Sequence, residues 1–267
     1  MKKQFLVLIL LTIVGLGFQV VAQPGAPGGP VDPSQMTDEA ILGTMDFHRF
    51  SGYFNPELPG TTFTSEILAE RPDGSKQAVV QVSFLFSQEG GFTARIDYLT
   101  PEELAGDVFL ITNEEVFFWN PDLISPIKVN GQFEVFGDAT VAEVVGIFFS
   151  GDYIISDRAE LTLDDGTPAL KYDLVATRES VAFQKAGVVA DALTLRPITL
   201  ELFDESGDLL HLNSFESYSA TADGRPFFNA QLLDNRVVPV NQTLLKITNI
   251  ESKVLPDELF DVNQLGA

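Results

Sequence analysis

From Thr61 onward, apolar residues recur at every second position of this chain. Val80, Val82, Phe84 and Phe86 alternate with Gln81 and Ser83, and Phe92, Ala94, Ile96 and Tyr98 alternate with Thr93, Arg95 and Asp97. That period puts successive side chains on opposite faces of an extended backbone, so each run predicts a β-strand with one greasy and one wet face. The runs are punctuated by Asp73-Gly74, Gly90-Gly91, Asn113-Glu114, Asp165-Gly166, Ser206-Gly207 and Asp223-Gly224. Such pairs tolerate the backbone angles of tight reversals and supply side-chain acceptors for them. Parallel strands need a crossover of a dozen or more residues, and the spacing leaves no room for one. The expectation is a mainly β (α+β) fold with a strongly curved antiparallel sheet.

Two stretches break the alternation. Val108-Phe109-Leu110-Ile111 and Val116-Phe117-Phe118-Trp119 are apolar throughout, so both faces of this hairpin must be shielded from water. Two segments carry a helical period. Thr37 can cap a helix over 38–49, with Asp38 and Glu39 at the positive end of its dipole and Ile41, Leu42 and Met45 on one face. After Gly137, Asp138 can cap a second helix carrying Val141, Val144, Val145 and Phe148, long enough to cover one face of the sheet. The pattern leaves open whether the volume under these helices is filled by side chains or hollow, although 22 phenylalanines suit the lining of an apolar pocket.

The N-terminus reads as a secretory signal over residues 1–22: Lys2 and Lys3, then the apolar run from Phe5 to Phe18, then Val20-Val21-Ala22. Residues 23–36 read as a flexible leader rich in proline and glycine, suited to neither helix nor strand, and 37–267 as a single domain. The localisation expected is the periplasm. With no cysteine in the chain, disulfides, thiol nucleophiles and thiolate metal sites are excluded, and the core alone must hold the fold. The formal net charge is −22, which loss of the two signal lysines deepens. Such a field repels phosphate backbones, so nucleic acid is not an expected partner.

Catalytic signatures are lacking. Of the two histidines, His211 stands within the strand pattern Leu209-Leu210-His211-Leu212 and His48 suits the negative end of the first helix. There is no Gly-x-Ser-x-Gly elbow, no His-Glu-x-x-His and no phosphate-cradling glycine loop in the mature region. Asp204-Glu205-Ser206-Gly207-Asp208 lacks the spacing of a calcium loop and reads as a hairpin turn. No enzyme activity, cofactor or metal is expected.

In order and spacing, several short pieces resemble the outer-membrane lipoprotein-sorting proteins, the LolA/LolB-like family, in its uncharacterised branch. They are Arg71-Pro72-Asp73-Gly74-Ser75, Arg95-Ile96-Asp97-Tyr98-Leu99-Thr100-Pro101, Phe118-Trp119-Asn120-Pro121, Gly151-Asp152-Tyr153, Asp165-Gly166-Thr167-Pro168, Leu202-Phe203-Asp204, Asp223-Gly224-Arg225-Pro226 and Pro256-Asp257-Glu258-Leu259-Phe260. The chain departs from the pattern at Val188-Val189-Ala190-Asp191 and at Phe228, where a second proline is common in the family. The resemblance implies an incomplete antiparallel barrel with amphipathic lid helices, whose apolar interior shelters the acyl chains of a lipid or lipoprotein on the way to the outer membrane. It also implies an inner-membrane exporter and an outer-membrane acceptor as partners; the alternative is an envelope lipid sensor or adaptor of the same fold. The cavity residues expected are Val144 and Phe148 from the lid, and Phe84, Phe86, Ile96, Tyr98, Phe109, Ile111, Phe117, Trp119, Leu200 and Leu202 from the sheet.

Overall fold

The computed structural model describes residues 30–55, 57–86, 92–112, 115–238 and 240–265. The signal, the leader up to Gly29, and the turn pairs Gly90-Gly91 and Asn113-Glu114 lie outside the described residues. Helix α1 (Asp38–Phe50) is followed by strands β1 (Gly60–Glu70), β2 (Lys76–Phe86), β3 (Phe92–Thr100), β4 (Val108–Thr112), β5 (Glu115–Trp119) and β6 (Ile127–Val129). A small hairpin of β7 (Glu134–Phe136) and β8 (Ala139–Thr140) leads into α2 (Val141–Val145) and α3 (Phe149–Asp152). The second half is all strand: β9 (Tyr153–Thr162), β10 (Pro168–Ala176), β11 (Lys185–Asp191), β12 (Pro197–Phe203), β13 (Leu209–Ala220), β14 (Pro226–Asn235) and β15 (Gln242–Lys253).

Thirteen of these strands form one antiparallel sheet in the order β6-β5-β4-β3-β2-β1-β15-β14-β13-β12-β11-β10-β9. The order follows from the turns. Each half is a meander of hairpins between sequence neighbours, as at Asp165-Gly166, where the Asp165 carboxylate accepts from Thr167 N at 2.9 Å and Gly166 takes φ +87°. The one long-range junction is β1 against β15, paired from Gly60↔Lys253 to Glu70↔Gln242. The sheet does not close on itself: β6 and β9 remain its edges, and the loops beside them meet where Gln132 Nε2 donates to Ala182 O at 2.6 Å. An open, curled antiparallel sheet with few helices is the architecture the alternation predicts.

On the concave side, Val80, Val82, Phe84, Ala94 and Ile96 are buried, as their period requires. Helix α1 lies across this face against β14, buries Ile41, Leu42 and Met45, and is capped by Thr37, whose hydroxyl accepts from Ala40 N at 3.2 Å. The stretch just before it is more ordered than a flexible leader: Pro33–Gln35 form a 3₁₀ turn and Val31 N donates to Leu193 O at 2.7 Å.

The second helix differs from its expectation. Its cap is Thr140 rather than Asp138, through a reciprocal capping box with Glu143, and α2 ends after a single turn at Gly146. Gly146 takes φ +94°, a non-helical angle that glycine adopts without strain and that ends the helix, and a Cβ there would lie 2.6 Å from the Phe50 ring, so only glycine fits. Phe148 therefore sits in extended backbone between α2 and α3. Asp138 instead pairs with Arg71 at 2.8 Å and accepts from Asn235 Nδ2 at 2.9 Å.

Candidate functional site

The concave face is paved with rings. Phe63, Phe84 and Phe92 of β1–β3 form a row with centroid separations of 5.8 Å, and Phe84 stacks on Phe86 at 5.7 Å. Rings from outside the sheet lie on this row. Phe54 meets Phe86 at 4.1 Å, Phe148 meets Phe92 at 5.1 Å, and Phe50 at the end of α1 meets Phe148 at 4.5 Å. A second group, Phe109 and Phe118 at 4.9 Å with Phe133 across them, continues the pavement towards β4 and β5. Offset and tilted contacts at these separations are those that aromatic quadrupoles favour.

Ten of the twelve expected cavity residues share this one cluster: Phe84, Phe86, Ile96, Tyr98, Phe109, Ile111, Val144, Phe148, Leu200 and Leu202. Phe117 and Trp119 do not. On β5 the period of two turns Val116 and Phe118 inward, and Phe117 and Trp119 join Val108 and Leu110 on the convex face. That face is covered by Leu255, Phe260 and Leu265 of the C-terminal segment. Trp119 is therefore no direct reporter on the concave side. Phe50 at the end of α1 and Tyr53 and Phe54 just after it are not marked by the sequence pattern, because they continue neither a strand period nor the apolar stripe of the helix.

Side chains pack into the volume that the sequence pattern left open, where Phe50, Phe148, Phe92 and Phe84 are in successive ring contact and Phe54 lies on Phe86. Two grooves of about 330 and 310 Å³ lie at the surface. The first lies over Phe227 and Ile247–Ile250, and the second beside Asp38, Glu39 and Tyr153. Neither is a chamber between the helices and the phenylalanines of β1–β3. The structure is a closed form whose own rings occupy the apolar interior.

Buried polar groups fasten the cover. The Arg49 guanidinium, 1% exposed, donates to Ile147 O at 2.7 Å and lies over the Phe50 and Phe149 rings at 4.3 and 4.2 Å. Asp46, 3.4 Å from Arg49, accepts from Phe149 N at 3.0 Å and Ser150 N at 2.8 Å, so a side chain of α1 caps the start of α3. Burial pushes the Asp46 carboxyl above its usual value despite the pull of Arg49 and of these N–H groups, and burial lowers Arg49. A second fastening holds α2. Glu143, buried, accepts from His211 Nδ1 at 3.0 Å, from Asn213 Nδ2 at 2.8 Å and from both Thr140 donors. Burial alone would lower His211, but the hydrogen bond and charge of Glu143 prevail and raise it. His48 reaches Thr194 O at 2.9 Å, and burial lowers it. Asp46 and Arg49 follow Leu42 and Met45 by four residues, on the otherwise apolar stripe of α1. That misplaced pair is the sequence signal that could have revealed the first fastening.

These fastenings give closure a definite geometry more than they add stability, since desolvating two charges costs about what their attraction returns. The cover is joined to the sheet by side-chain hydrogen bonds and ring contacts, and among the described residues none of the strand ladders runs through it.

Comparison with known proteins agrees with this architecture. A family model described as "Uncharacterized protein" matches residues 93–267. No curated protein matches the sequence. Among solved structures, a LolA superfamily protein of Nitrosomonas europaea superposes with a TM-score of 0.73 at 18% identity, over 85% of this chain and 98% of that one. A protein described as an outer membrane lipoprotein-sorting protein domain, from Vibrio parahaemolyticus, gives 0.69 at 16% identity over 86% and 98%. A DUF1329 family protein of Desulfovibrio piger gives 0.67 at 13% over 85% and 97%. The open, lidded sheet is thus the LolA-like fold.

Proposed function

Because the chain belongs to that family of uncharacterized proteins and carries the LolA-like fold, we propose that it is a periplasmic lipid or lipoprotein carrier rather than an enzyme. In this reading the ring-paved concave face receives acyl chains once the cover of α1, α2 and α3 lifts. The observation that carries the proposal is that this cover lies outside the sheet and is fastened to it and within itself at discrete buried polar points. The signal-like N-terminus supports export. No helix among the described residues is long and apolar enough to cross a membrane. An inner-membrane exporter that loads the carrier and an outer-membrane acceptor that empties it complete the scheme.

The filled interior fits this role energetically. An acyl chain of about 16 methylenes gains on the order of 13 kcal/mol when fully withdrawn from water, at about 0.8 kcal/mol per methylene. A preformed empty pocket would keep most of that gain and release its cargo too slowly. Here the acyl chain displaces ring contacts that the closed form already makes, such as Phe50 on Phe148 and Phe54 on Phe86. The difference between two apolar fillings is small, so transfer to a more apolar acceptor stays downhill.

The test is titration of the purified mature protein with a fluorescent long-chain fatty acid. Saturable binding is expected, weakened at least tenfold by Phe148→Glu, which sets a charge among the rings. If the wild-type protein binds no long-chain fatty acid, phospholipid or acylated peptide, the carrier reading is wrong.

A further inference from the structure

Strands β14 and β15 are neighbours in the sheet, yet they are joined along only part of their length. Their ladder runs from Asp234↔Gln242 to Ala230↔Lys246 and stops. Beyond it both strands continue, each paired to its other neighbour. Pro226, Phe227 and Phe228 stay on β13, and Ile247, Thr248 and Glu251 stay on β1. Two irregularities accompany the parting. The β13–β14 register shifts at Phe215–Tyr218, and the β1–β15 register shifts opposite Asn249, which takes φ +54°. Extra residues of this kind bend and twist a strand away from its partner. A sheet that is otherwise continuous here contains a slot.

The groove of about 330 Å³ is the outer mouth of this slot, floored by Phe227, Ile247 and Ile250 with Thr221, Thr248 and Asn249 around them. No charged side chain lines it. Behind it sits the 3₁₀ turn Ser51–Tyr53, which replaces the missing ladder with bonds of its own. Ser51 Oγ donates to Pro226 O at 2.9 Å, Tyr53 OH donates to Phe228 O at 2.7 Å, and Thr61 Oγ1 donates to Tyr53 O. Gly52 fits so closely that a Cβ would stand 2.5 Å from the Phe227 ring. Ring contacts continue inward without a break: Phe227 to Tyr53 at 5.7 Å, Tyr53 to Phe50 at 6.1 Å, and Phe50 to Phe148 at 4.5 Å.

We propose that the slot between β14 and β15 is a side gate through which a single acyl chain threads into the ring-paved interior, with Ser51–Tyr53 as its bolt. The proposal rests on the carrier reading and adds to the lifting of the cover a second opening, through the sheet itself. The ligand class follows from the lining. An unbranched hydrocarbon tail matches an apolar floor between two strands, and the neutral hydroxyl and amide groups at the mouth leave the polar head outside. Arg225, at the start of β14, is engaged by Asp223 at 2.8 Å and donates to Ser51 O at 3.3 Å, so it fastens the bolt.

A cysteine-free chain allows a clean lock. A Cβ on Gly52 would lie 3.0 Å from the Phe227 Cβ, closer than the roughly 3.5–4.5 Å of a disulfide, so Gly52→Cys with Phe227→Cys should cross-link bolt to strand once the turn backs off by about half an ångström. The experiment follows uptake of a fluorescent 16-carbon fatty acid by stopped flow, on oxidised and reduced forms of this variant and on wild type. Expected is uptake at least tenfold slower when oxidised, restored by reductant. Tyr53→Phe, which removes only the hydroxyl on Phe228 O, is expected to speed uptake several-fold. It also serves as the deciding measurement should the double variant fail to fold. Equal rates for oxidised and reduced forms, or an unaltered rate for Tyr53→Phe, overturn the gate while wild-type uptake keeps the carrier reading intact. Absence of uptake by wild type overturns both.

Discussion

The β4–β5 hairpin is apolar on both sides, and its two faces are covered in different ways. The convex face, with Val108, Leu110, Phe117 and Trp119, is clasped by Leu255, Phe260 and Leu265 of the C-terminal segment, a mainly apolar contact to which Arg95, paired with Asp97 at 2.7 Å, adds one part-buried hydrogen bond to Leu259 O at 3.2 Å. The concave face, with Phe109, Ile111, Val116 and Phe118, belongs to the large cluster under the lid, whose cover is fastened by buried Arg49, Asp46, Glu143 and Asn213. Both clusters exclude water. What separates them is the extent of buried polar chemistry: one part-buried hydrogen bond on the outer clasp against the buried Arg49, Asp46, Glu143 and Asn213 of the inner cover. Burial by itself does not distinguish the two faces; the polar groups buried along the rim do.

The largest expected effect comes from Arg49→Met. It strands the Asp46 carboxylate in the interior and frees the Ile147 carbonyl, which should cost about 3–5 kcal/mol in urea unfolding. A loss under about 1 kcal/mol would erase the distinction drawn between the faces. Next is Phe260→Ala on the convex side. It should cost about 3 kcal/mol and red-shift the emission of Trp119, its neighbour in that cluster, while fatty-acid affinity stays at the wild-type value. A matching fall in affinity would show that the two faces act as one. The smallest effect sharpens the comparison through pH. His211 is held above its ordinary value by Glu143, so its contribution to the α2 fastening is full below the unfolded histidine value and fades as pH rises through the raised one. Hydrogen-exchange protection at α2, after the intrinsic pH dependence of exchange is divided out, should fall over that window in the wild type and be flat in His211→Asn, with protection of the convex clasp unchanged in both. A flat wild-type profile would remove His211 from the fastening.

The strands were legible because one periodicity encodes both the extended backbone and the buried face, as Val80 to Phe86 and Phe92 to Tyr98 illustrate. Helix α1 was legible for the same reason, with Thr37 as its marker. The second lid helix departs from its expectation because Asp138 and Thr140 are both competent caps, and because the positive φ of Gly146 ends the helix after one turn. Phe117 and Trp119 were placed inside because a run apolar at every position does not say which parity faces inward; the pairing of Phe109 with Phe118 does. The Asp46–Arg49 pair on the apolar stripe of α1 marks in the sequence where a fastening sits, but the partners of the fastenings are beyond sequence reading. Arg49 and Ile147, or His211 and Glu143, meet across most of the fold, and no local pattern announces a contact of that separation.

The junction of β1 with β15 has a consequence for how the molecule is made. The central seam of the sheet joins the first strand to the last, so a chain emerging from its N-terminus can build two half-sheets but cannot join them until residue 253 has appeared. Until then β1 presents a long unpaired edge, the surface on which strands of other chains add. Any truncation ahead of Gln242 would leave that edge permanently bare, and the product should be recovered as aggregate rather than as a shortened monomer.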